Sequence, residues 1–574
     1  MGCVRALAGI VALITATLLA GCGRGVTSAN ADSAHGSWHA ASGSPTSSAG
    51  PDPAARAAAL AAGLSDADLV GQVLMPYAYG DNATTVSSAA VSANRAYAGV
   101  ATPAEMVDKY RLGGLILMNQ AAADPTASTN KSSNLVSPTQ VRSFTDGLQA
   151  AAAKLPAKVP LLVGTDQEYG VVNRLRSGVT QLPSALAFGA AGDPALTRAA
   201  WGAAGADLRA IGINVDFAPI ADVLGQSGDG PIGSRSYGTD PKAVSDQVAA
   251  AVQGLRDGGV AATLKHFPGH GHTTGDSHTQ LPVLGQSRDA LAAGDLPPFT
   301  AGIGAGADLV MSGHLDVRSI DPGVPASFSS KVLVDLLRGQ LGFRGVVVSD
   351  AMNMAPAEKY APGEAAVRAL VAGNDLLLMP PDLAAAQRGL LEGLGNGSLP
   401  RTRLVEAATR VLALKLRLAG QPQPDLAGLA GADRQAAAAK VAAAAVTVLR
   451  GGCRGPLVPR GPVRVTGSDG RDQQVQWLGE ALRARGYTVG ASGPEVRLVG
   501  YGDTATDLSG GASVTAAMDL PYVLGDAKSP VLLATYSSTR DSMTALAAVL
   551  AGAAPAPGRS PVEVAGLPRS ACAG

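Results

Sequence analysis

The stretch VVVSD at residues 346–350 places three branched apolar residues directly before a hydroxyl and a carboxylate. Branched apolar residues favour a buried β-strand. Seven other short apolar runs are likewise followed by a polar motif and then a helical pattern. The eight runs are residues 73–75, 115–118, 160–165, 213–217, 262–264, 309–311, 346–348 and 376–379. Continuous apolar strands that alternate with helices predict a parallel sheet covered on both faces.

Helix starts between these runs are well marked. Each combines a capping side chain with proline at the first helical position, at Thr102-Pro103, Ser137-Pro138, Asp193-Pro194 and Asp240-Pro241. Eight strand–helix units over residues 55–420 predict an α/β fold of the (β/α)₈ TIM-barrel type. An open doubly wound sheet is the alternative.

A barrel of this type carries its chemistry at the carboxyl ends of its strands. Polar and ionisable residues occur at those positions. They are Asp166 after the third predicted strand, Asp216 at the end of the fourth, Lys265 and His266 after the fifth, His314 after the sixth and Asp350 after the seventh. The sequence therefore predicts an active site at this face.

The last quarter of the chain reads as a separate, smaller unit. Residues 400–420 predict a final barrel helix. Residues 421–574 predict an α/β layered domain, with helices at 434–449, 471–485 and 539–551 and strands at 463–465, 495–499 and 530–534. No catalytic constellation is evident there, so we expect the domain to support the barrel. Binding of carbohydrate or cell wall is the alternative.

Composition excludes several classes of protein. The 574 residues include 45 Lys and Arg against 45 Asp and Glu, so the formal net charge is zero. Nucleic-acid-binding proteins normally carry a basic excess, and we expect no nucleic acid as a partner. Four cysteines are too few for a disulfide scaffold. Outside the cytoplasm Cys453 and Cys572 could form a disulfide; the alternative is two free thiols.

The first 22 residues predict an export signal. Arg5 precedes an apolar run over residues 6–20, which is too short to span a membrane and is typical of a secretory signal. The run ends in LAGC, which resembles the bacterial lipobox, where the cysteine is lipidated. Cys22 would then anchor the mature protein to the membrane outside the cytoplasm; a plain signal peptide is the alternative. Residues 23–54 read as a flexible tether.

The segment KHFPGHGHTTGDSHTQLP at residues 265–282 contains four of the seven histidines. In an extended segment residues two apart point the same way, so Asp276 can orient the imidazole of His278. A histidine held in this way can act as a general acid near neutral pH. Three alternatives are open: histidines that only hydrogen-bond one another, a zinc site at His270 and His272, and a Schiff base on Lys265.

The chain resembles family 3 glycoside hydrolases, and within them the β-N-acetylglucosaminidase branch. The resemblance rests on five motifs in order over residues 66–380: DQE with RL at 166–175, IGSRSYG at 232–238, KHFPGHG at 265–271, DSH at 276–278 and VSDAMNM at 348–354. The family usually has GGRV after DQE, whereas this chain has YGVV at 169–172. One arginine contact is therefore in doubt. Residues 79–101 also form a longer loop than expected.

The resemblance implies a role for each matching residue. Asp350 would be the nucleophile of a retaining mechanism, and His278 with Asp276 would be the general acid and then the base. The sugar hydroxyls would be bound by Asp166, Arg174, Arg235, Lys265 and His266. No cofactor and no metal are implied.

Together with the export signal, the resemblance predicts an exo-acting enzyme that releases terminal N-acetylglucosamine from cell-wall (peptidoglycan-derived) glycans. Because the proton donor would be an imidazole, a phosphorylase in which phosphate replaces water is one alternative. The others are a non-catalytic wall-binding lipoprotein and a metal-dependent hydrolase.

Overall fold

The structure is a computed structural model that describes residues 52–119, 126–225 and 230–572. The predicted signal peptide, Cys22 and all but the end of the predicted tether lie outside these residues. Helix α1 begins at Pro53, capped by the side chain of Asp52, two residues before the predicted start of the barrel at residue 55.

The described residues before residue 420 form ten strands, and all eight predicted apolar runs are among them. They are β1 (Leu74–Met75), β2 (Gly114–Ile116), β3 (Leu162–Thr165), β4 (Val215–Asp216), β5 (Ala261–Phe267), β6 (Val283–Leu284), β7 (Leu309–Ser312), β8 (Asp316–Val317), β9 (Val346–Ser349) and β10 (Leu377–Leu378). Strands β6 and β8 form a separate two-stranded sheet that is not part of the barrel.

The other eight strands form a closed parallel ring. Six of them pair in the order β2-β3-β4-β5-β7-β9, and β1 pairs with β10. The amide of Ile116 donates to the carbonyl of Pro76 at 3.0 Å, and the amide of Ser349 donates to the carbonyl of Leu376 at 2.9 Å. These two bonds join the pair to both edges of the six-stranded sheet. The predicted barrel is therefore confirmed, and the open-sheet alternative is wrong.

The helices surround this ring. They are α1 (Pro53–Gly63), α2 (Asp66–Gln72), α3 (Ser88–Ala98), α4 (Pro103–Tyr110), α5 (Pro138–Ala152), α6 (Ala185–Ala191), α7 (Pro194–Ala210), α8 (Pro241–Asp257), α9 (Arg288–Gly294), α10 (Leu296–Gly304), a π-helix (Lys331–Gln340), α11 (Ala355–Glu358), α12 (Pro362–Ala372), α13 (Leu383–Asn396) and α14 (Arg401–Ala419). All four predicted helix starts are present with their side-chain caps. Within the described ranges no helix is both long and apolar enough to cross a bilayer.

Residues 79–101 contain α3, so the expectation of a long loop is wrong. The side chain of Ser87 caps this helix, and Gly99 ends it in the left-handed conformation. The hydroxyl of Tyr97 donates to the carbonyl of Pro380 at 2.8 Å, which ties the helix to the segment after β10.

The second unit is a six-stranded sheet with helices. Its elements are β11 (Thr447–Arg450), β12 (Pro462–Gly467), β13 (Thr488–Val489), β14 (Glu495–Val499), β15 (Val514–Ala517), β16 (Val531–Ala534), α15 (Ala432–Ala445), α16 (Asp472–Arg483) and α17 (Arg540–Leu550). The strands pair in the order β11-β16-β15-β14-β12-β13, with only β11 antiparallel. The predicted α/β layered domain is confirmed.

Two details of this unit differ from expectation. The helix predicted over 434–449 ends at Ala445, because the β-branched run that follows pairs with β16 as strand β11. Strands β13 and β15 were also not predicted.

The disulfide between Cys453 and Cys572 is present and joins the loop after β11 to the end of the chain.

An apolar core joins the second sheet to the barrel. It includes Leu186, Ile220 and Ile232 from the barrel side and Val499 and Leu532 from the second sheet, each at most 3% exposed. The amide of Ser184 also donates to the hydroxyl of Ser537 at 3.2 Å. The barrel face that carries these residues is therefore held firmly against the second sheet.

Helix α14 carries a buried lysine. Lys415 of α14 is 1% exposed and donates to the side-chain oxygen of Gln72 at 2.8 Å. Burial lowers the pKa of Lys415 to about 7. Between pH 7 and the ordinary lysine pKa near 10.5, the unfolded chain therefore binds more protons than the folded chain, so stability must rise with pH.

We expect Lys415→Met to abolish this rise. From pH 7 to pH 9 the wild-type protein should gain about 2 kcal/mol of unfolding free energy relative to the variant, since a full proton difference contributes ~1.4 kcal/mol per pH unit. Urea unfolding of both proteins at several pH values measures the difference. Parallel pH profiles would contradict a neutral Lys415.

Candidate active site

Four of the six polar residues predicted at the barrel's carboxyl ends line one cavity, whereas Asp216 and His314 are fully buried and do not line it. Asp166 directly follows β3, and Asp350 directly follows β9. Lys265 and His266 were expected after the fifth strand, but β5 continues to Phe267 and contains both. The strand extends because the carbonyls of Lys265 and Phe267 accept from Ala221 and Gly313, at 2.7 and 2.8 Å.

One cavity brings all eight predicted site residues together. Its lining includes Asp166, Arg174, Arg235, Lys265, His266, Asp276, His278 and Asp350. The sequence separates these residues by up to 184 positions, and the barrel places them around a single space. Further lining residues are Thr126, Thr129, Asn130, Glu168, Pro231, His270, Ser277, Met311, Ala351, Met354, Leu378 and Met379.

Asp350 lines this cavity and is 8% exposed. Its Oδ1 accepts from the amide of Ala351 at 2.8 Å. Burial alone would raise the pKa of Asp350, but the nearby imidazoles of His266 and His314 and the amide of Ala351 outweigh it and lower the pKa. The carboxylate is therefore ionised and unprotonated at neutral pH, as a nucleophile must be.

His278 is held by Asp276. Oδ1 of Asp276 lies 2.6 Å from Nδ1 of His278 and also accepts the His278 amide at 3.0 Å. The hydrogen bond from His278 lowers the pKa of Asp276. The Asp276 carboxylate is therefore the acceptor, and Nδ1 of His278 carries the donated proton. Nε2 is then left for a substrate. The carbonyl of His278 accepts from Ala355 at 3.4 Å, which connects this loop to the segment that follows Asp350.

A charged network forms another wall of the cavity. Nζ of Lys265 lies 2.8 Å from Asp166 and 2.7 Å from Glu168. Arg235 makes a bidentate pair with Glu168 at 2.6 and 2.8 Å, and Arg174 lies 3.5 Å from Asp166. Fixed charged donors and acceptors suit the hydroxyl groups of a polar ligand.

This network keeps Lys265 and Glu168 charged. Burial disfavours the charged form of Lys265, but Asp166 and Glu168 outweigh it and raise the pKa. A Schiff-base lysine must lose its proton easily, so the arrangement disfavours that alternative. Burial opposes the charge of Glu168 too, and Arg235 and Lys265 nonetheless lower the pKa of that carboxyl.

Glu168 was quoted in a motif but not predicted as a site residue. It lies two positions after Asp166, and that spacing in an extended segment was the available signal.

We expect Glu168→Gln to destabilise the protein by about 3 kcal/mol, because Arg235 and Lys265 would lose a buried partner. Urea unfolding measures this change. The matched control is Glu480→Gln, which breaks an exposed pair with Arg540 and should cost under about 1 kcal/mol; equal effects of the two changes would contradict the argument.

Asp222 is a second residue that sequence reasoning missed. Its Oδ2 lies 2.8 Å from Nδ1 of His266, and its Oδ1 accepts the amides of His266 and His270 at 3.0 and 2.7 Å. It is fully buried. Asp222 thus fixes the position of His266 in the cavity, and it carried no local motif that would have revealed this.

His314 is fully buried beside Asp350 but is not part of the cavity lining given above. Its Nε2 lies 3.0 Å from the carbonyl of Ala351, which can only accept, and Nδ1 faces the hydroxyl of Ser327 at 2.6 Å. Burial lowers the pKa of His314, against a weaker opposing effect of Asp350. Through its contact with the carbonyl of Ala351, the buried ring buttresses the turn that carries Asp350.

The histidines proposed for zinc point to different partners. His270 contacts Thr273 and Ser277, the latter at 3.0 Å, whereas Nδ1 of His272 lies 2.8 Å from Asp295. Across residues 52–119, 126–225 and 230–572, no group of three His, Cys, Asp or Glu side chains has the arrangement of a metal site. The described residues therefore give the zinc alternative no support.

Comparison with known proteins gives one consistent family. Residues 70–414 match the glycosyl hydrolase family 3 N-terminal domain. A β-hexosaminidase of Stenotrophomonas maltophilia is 43% identical over 254 residues, which cover 43% of this chain and 73% of the relative. A β-hexosaminidase of Xanthomonas campestris is 40% identical over 262 residues, covering 44% and 76%.

A solved structure matches both units. It is a family 3 β-N-acetylglucosaminidase from Paenibacillus sp. str. FPU-7, with a TM-score of 0.75 and 30% identity. The match covers 88% of this chain and 99% of that one.

Proposed function

Since this chain belongs to glycosyl hydrolase family 3 and is a glycoside hydrolase, we propose that it releases terminal N-acetylglucosamine by a retaining mechanism. The sugar is inferred from the relatives, which are β-hexosaminidases and a β-N-acetylglucosaminidase. The observation that carries the mechanism is the presence of an Asp276-oriented imidazole and an ionised Asp350 on one cavity.

In the first step Asp350 attacks the anomeric carbon while the bond to the leaving oxygen breaks. Nε2 of His278 gives its proton to that oxygen, so the aglycone leaves as an alcohol. The new bond joins one carboxylate oxygen of Asp350 to the anomeric carbon. The other carboxylate oxygen can stabilise the positive charge that develops on the sugar. Asp276 stabilises the His278 ring in the required orientation and tautomer.

In the second step the same residues act in reverse. Neutral His278 accepts a proton from water, and the water oxygen attacks the anomeric carbon. The bond to Asp350 breaks and returns the carboxylate. Two displacements at one carbon retain its configuration.

The charged network would bind the terminal sugar at the non-reducing end of the glycan. Asp166, Lys265 and Arg174 offer donors and acceptors to hydroxyl groups, and Asp222 holds His266 in position to do the same. Because these side chains are tied to one another, we expect them to form a closed wall behind a single sugar. A closed wall favours exo cleavage.

The natural substrate and the location of the enzyme are proposed from the predicted export signal rather than from the site. We expect lipidation at Cys22 to anchor the enzyme outside the cytoplasm, where cell-wall glycans would supply its substrate. Detergent phase partitioning tests the anchor: the wild-type protein should enter the detergent phase, and Cys22→Ala should stay in the aqueous phase. Equal partitioning would contradict it.

The function is tested with 4-nitrophenyl β-N-acetylglucosaminide, with and without inorganic phosphate. Hydrolysis predicts free N-acetylglucosamine at a rate that does not depend on phosphate. A phosphate-dependent rate that yields the sugar 1-phosphate would replace the hydrolase by the phosphorylase alternative. Binding of wall fragments without turnover of any N-acetylglucosaminide would favour a non-catalytic wall-binding protein.

A further inference from the structure

His270 lines the catalytic cavity, but the proposed mechanism gives it no role. It is 2% exposed. Its amide donates to Oδ1 of Asp222 at 2.7 Å, and its ring lies nearly perpendicular to that of His266, with ring centroids 5.6 Å apart. Asp222 also holds Nδ1 of His266 at 2.8 Å. His270 is therefore fixed against the wall of the cavity that would bind the terminal sugar.

The hydrogen bonds of the His270 ring define where its proton lies. The hydroxyl of Thr273 donates to the carbonyl of His270 at 2.9 Å, and a carbonyl can only accept. Oγ1 of Thr273 must then accept from Nδ1 of His270 at 2.5 Å. Burial lowers the pKa of His270 to about 4, and His266 adds to this shift against an opposing effect of Asp222. At neutral pH Nε2 of the ring therefore carries a lone pair and no proton.

That lone pair faces the loop that carries the proposed acid. Nε2 of His270 lies 3.0 Å from Oγ of Ser277, so the serine hydroxyl donates to it. Ser277 stands between Asp276 and His278 in the sequence and is 3% exposed. Asp276 and His278 bond each other, whereas the residue between them bonds the wall of the cavity.

The bonds within the acid pair do not fasten the pair to the barrel. The side chain of Asp276 is 42% exposed, and its bonds to His278 stay within the loop. The carbonyl of His278 accepts from Ala355, but at 3.4 Å this bond is long. The bond from Ser277 to His270 is shorter and buried at both ends, and burial strengthens a hydrogen bond. It is therefore the firmer connection between this loop and the barrel.

We propose that His270 and Ser277 form a latch that positions His278 for proton transfer to the leaving oxygen. Both are positioning residues, because they act through the loop and not on the substrate. A general acid must lie within hydrogen-bond reach of the oxygen that it protonates, so a small displacement of the loop lowers the rate. Asp222 binds the amides of both His266 and His270, so the latch aligns the acid with the sugar-binding wall. This inference rests on the proposed function.

The test compares two leaving groups in Ser277→Ala, which removes the donated hydrogen bond. Chitobiose has a poor leaving alcohol and needs the acid, whereas the 2,4-dinitrophenyl glycoside of N-acetylglucosamine does not. We expect kcat/KM for chitobiose to fall by about 10-fold, because His278 is no longer held in place and the buried Nε2 of His270 loses its partner. For the dinitrophenyl glycoside kcat/KM should change less than about 2-fold.

Three further variants show whether the effect passes through this bond. His270→Leu removes the acceptor and should cause the same selective loss, and its combination with Ser277→Ala should lose no more than either change alone. His270→Gln places an amide oxygen near the position of Nε2 and should return the ratio of the two kcat/KM values toward wild type. Thr279→Ala is the matched control, since its exposed hydroxyl bonds only within the loop, and it should keep the wild-type ratio.

The ratio of the two kcat/KM values does not depend on how much of each variant is folded. Equal losses for both substrates in Ser277→Ala, or additive losses in the double variant, would overturn the inference and leave the bond as a packing contact. A wild-type enzyme that hydrolysed neither substrate would refute the proposed function itself, and the inference with it.

Discussion

Replacing Asp350 by glycine is expected to lower kcat for 4-nitrophenyl β-N-acetylglucosaminide by at least about 10⁴-fold. The carboxylate forms the covalent intermediate in the proposed mechanism, and removing a nucleophile typically leaves only the contribution of binding and of the remaining groups. Steady-state assays of the purified variant measure the loss. Azide should restore turnover, because a small anion can enter the space left by the carboxylate and attack from the same face.

The product of that rescue is informative. Azide attack in Asp350→Gly is a single displacement, so the glycosyl azide should have the α configuration. Asp335→Ala is the matched control, since Asp335 is exposed on the outer π-helix, and it should keep wild-type activity. Full activity in Asp350→Gly would refute the assignment of the nucleophile.

Replacing His278 by alanine is expected to affect substrates according to their leaving group. For chitobiose, whose leaving alcohol is poor, kcat/KM should fall by about 10²–10⁴-fold, the usual contribution of a general acid. For the 2,4-dinitrophenyl glycoside kcat/KM should fall less than about 10-fold, because that leaving group needs no proton. Its kcat should still fall, since His278 also activates water in the second step.

A matched control lies on the same loop. His272 is paired with Asp295 and is not among the residues that line the cavity. His272→Ala should therefore show no dependence on the leaving group. Equal losses of kcat/KM for good and poor leaving groups in His278→Ala would argue against its role as the acid.

Most of the barrel could be predicted because its signals are local. Each strand is a short apolar run, and each marked helix start combines a cap with proline. Strand ends were less predictable. Lys265 and His266 are polar, yet they lie inside β5 because the segments that follow β4 and β7 donate hydrogen bonds to both of its sides. Sequence polarity does not reveal such pairing.

The site was predictable where the residues that contact one another lie within one short motif. Asp276 and His278 are two residues apart and their contact forms within one loop. Glu168 and Arg235 are 67 residues apart, and Asp222 and His266 are 44 apart. Those contacts depend on how separate strand ends meet, so neither Glu168 nor Asp222 was recognised.

The most direct test of the account is to trap the intermediate. The 5-fluoro derivative of β-N-acetylglucosaminyl fluoride should react rapidly in the first step, because fluoride leaves readily, and slowly in the second, because the ring fluorine disfavours positive charge. Mass spectrometry should find one fluorinated sugar per protein, attached to the peptide that carries Asp350. Attachment to another residue, or turnover that releases an oxazoline without any adduct, would contradict the account.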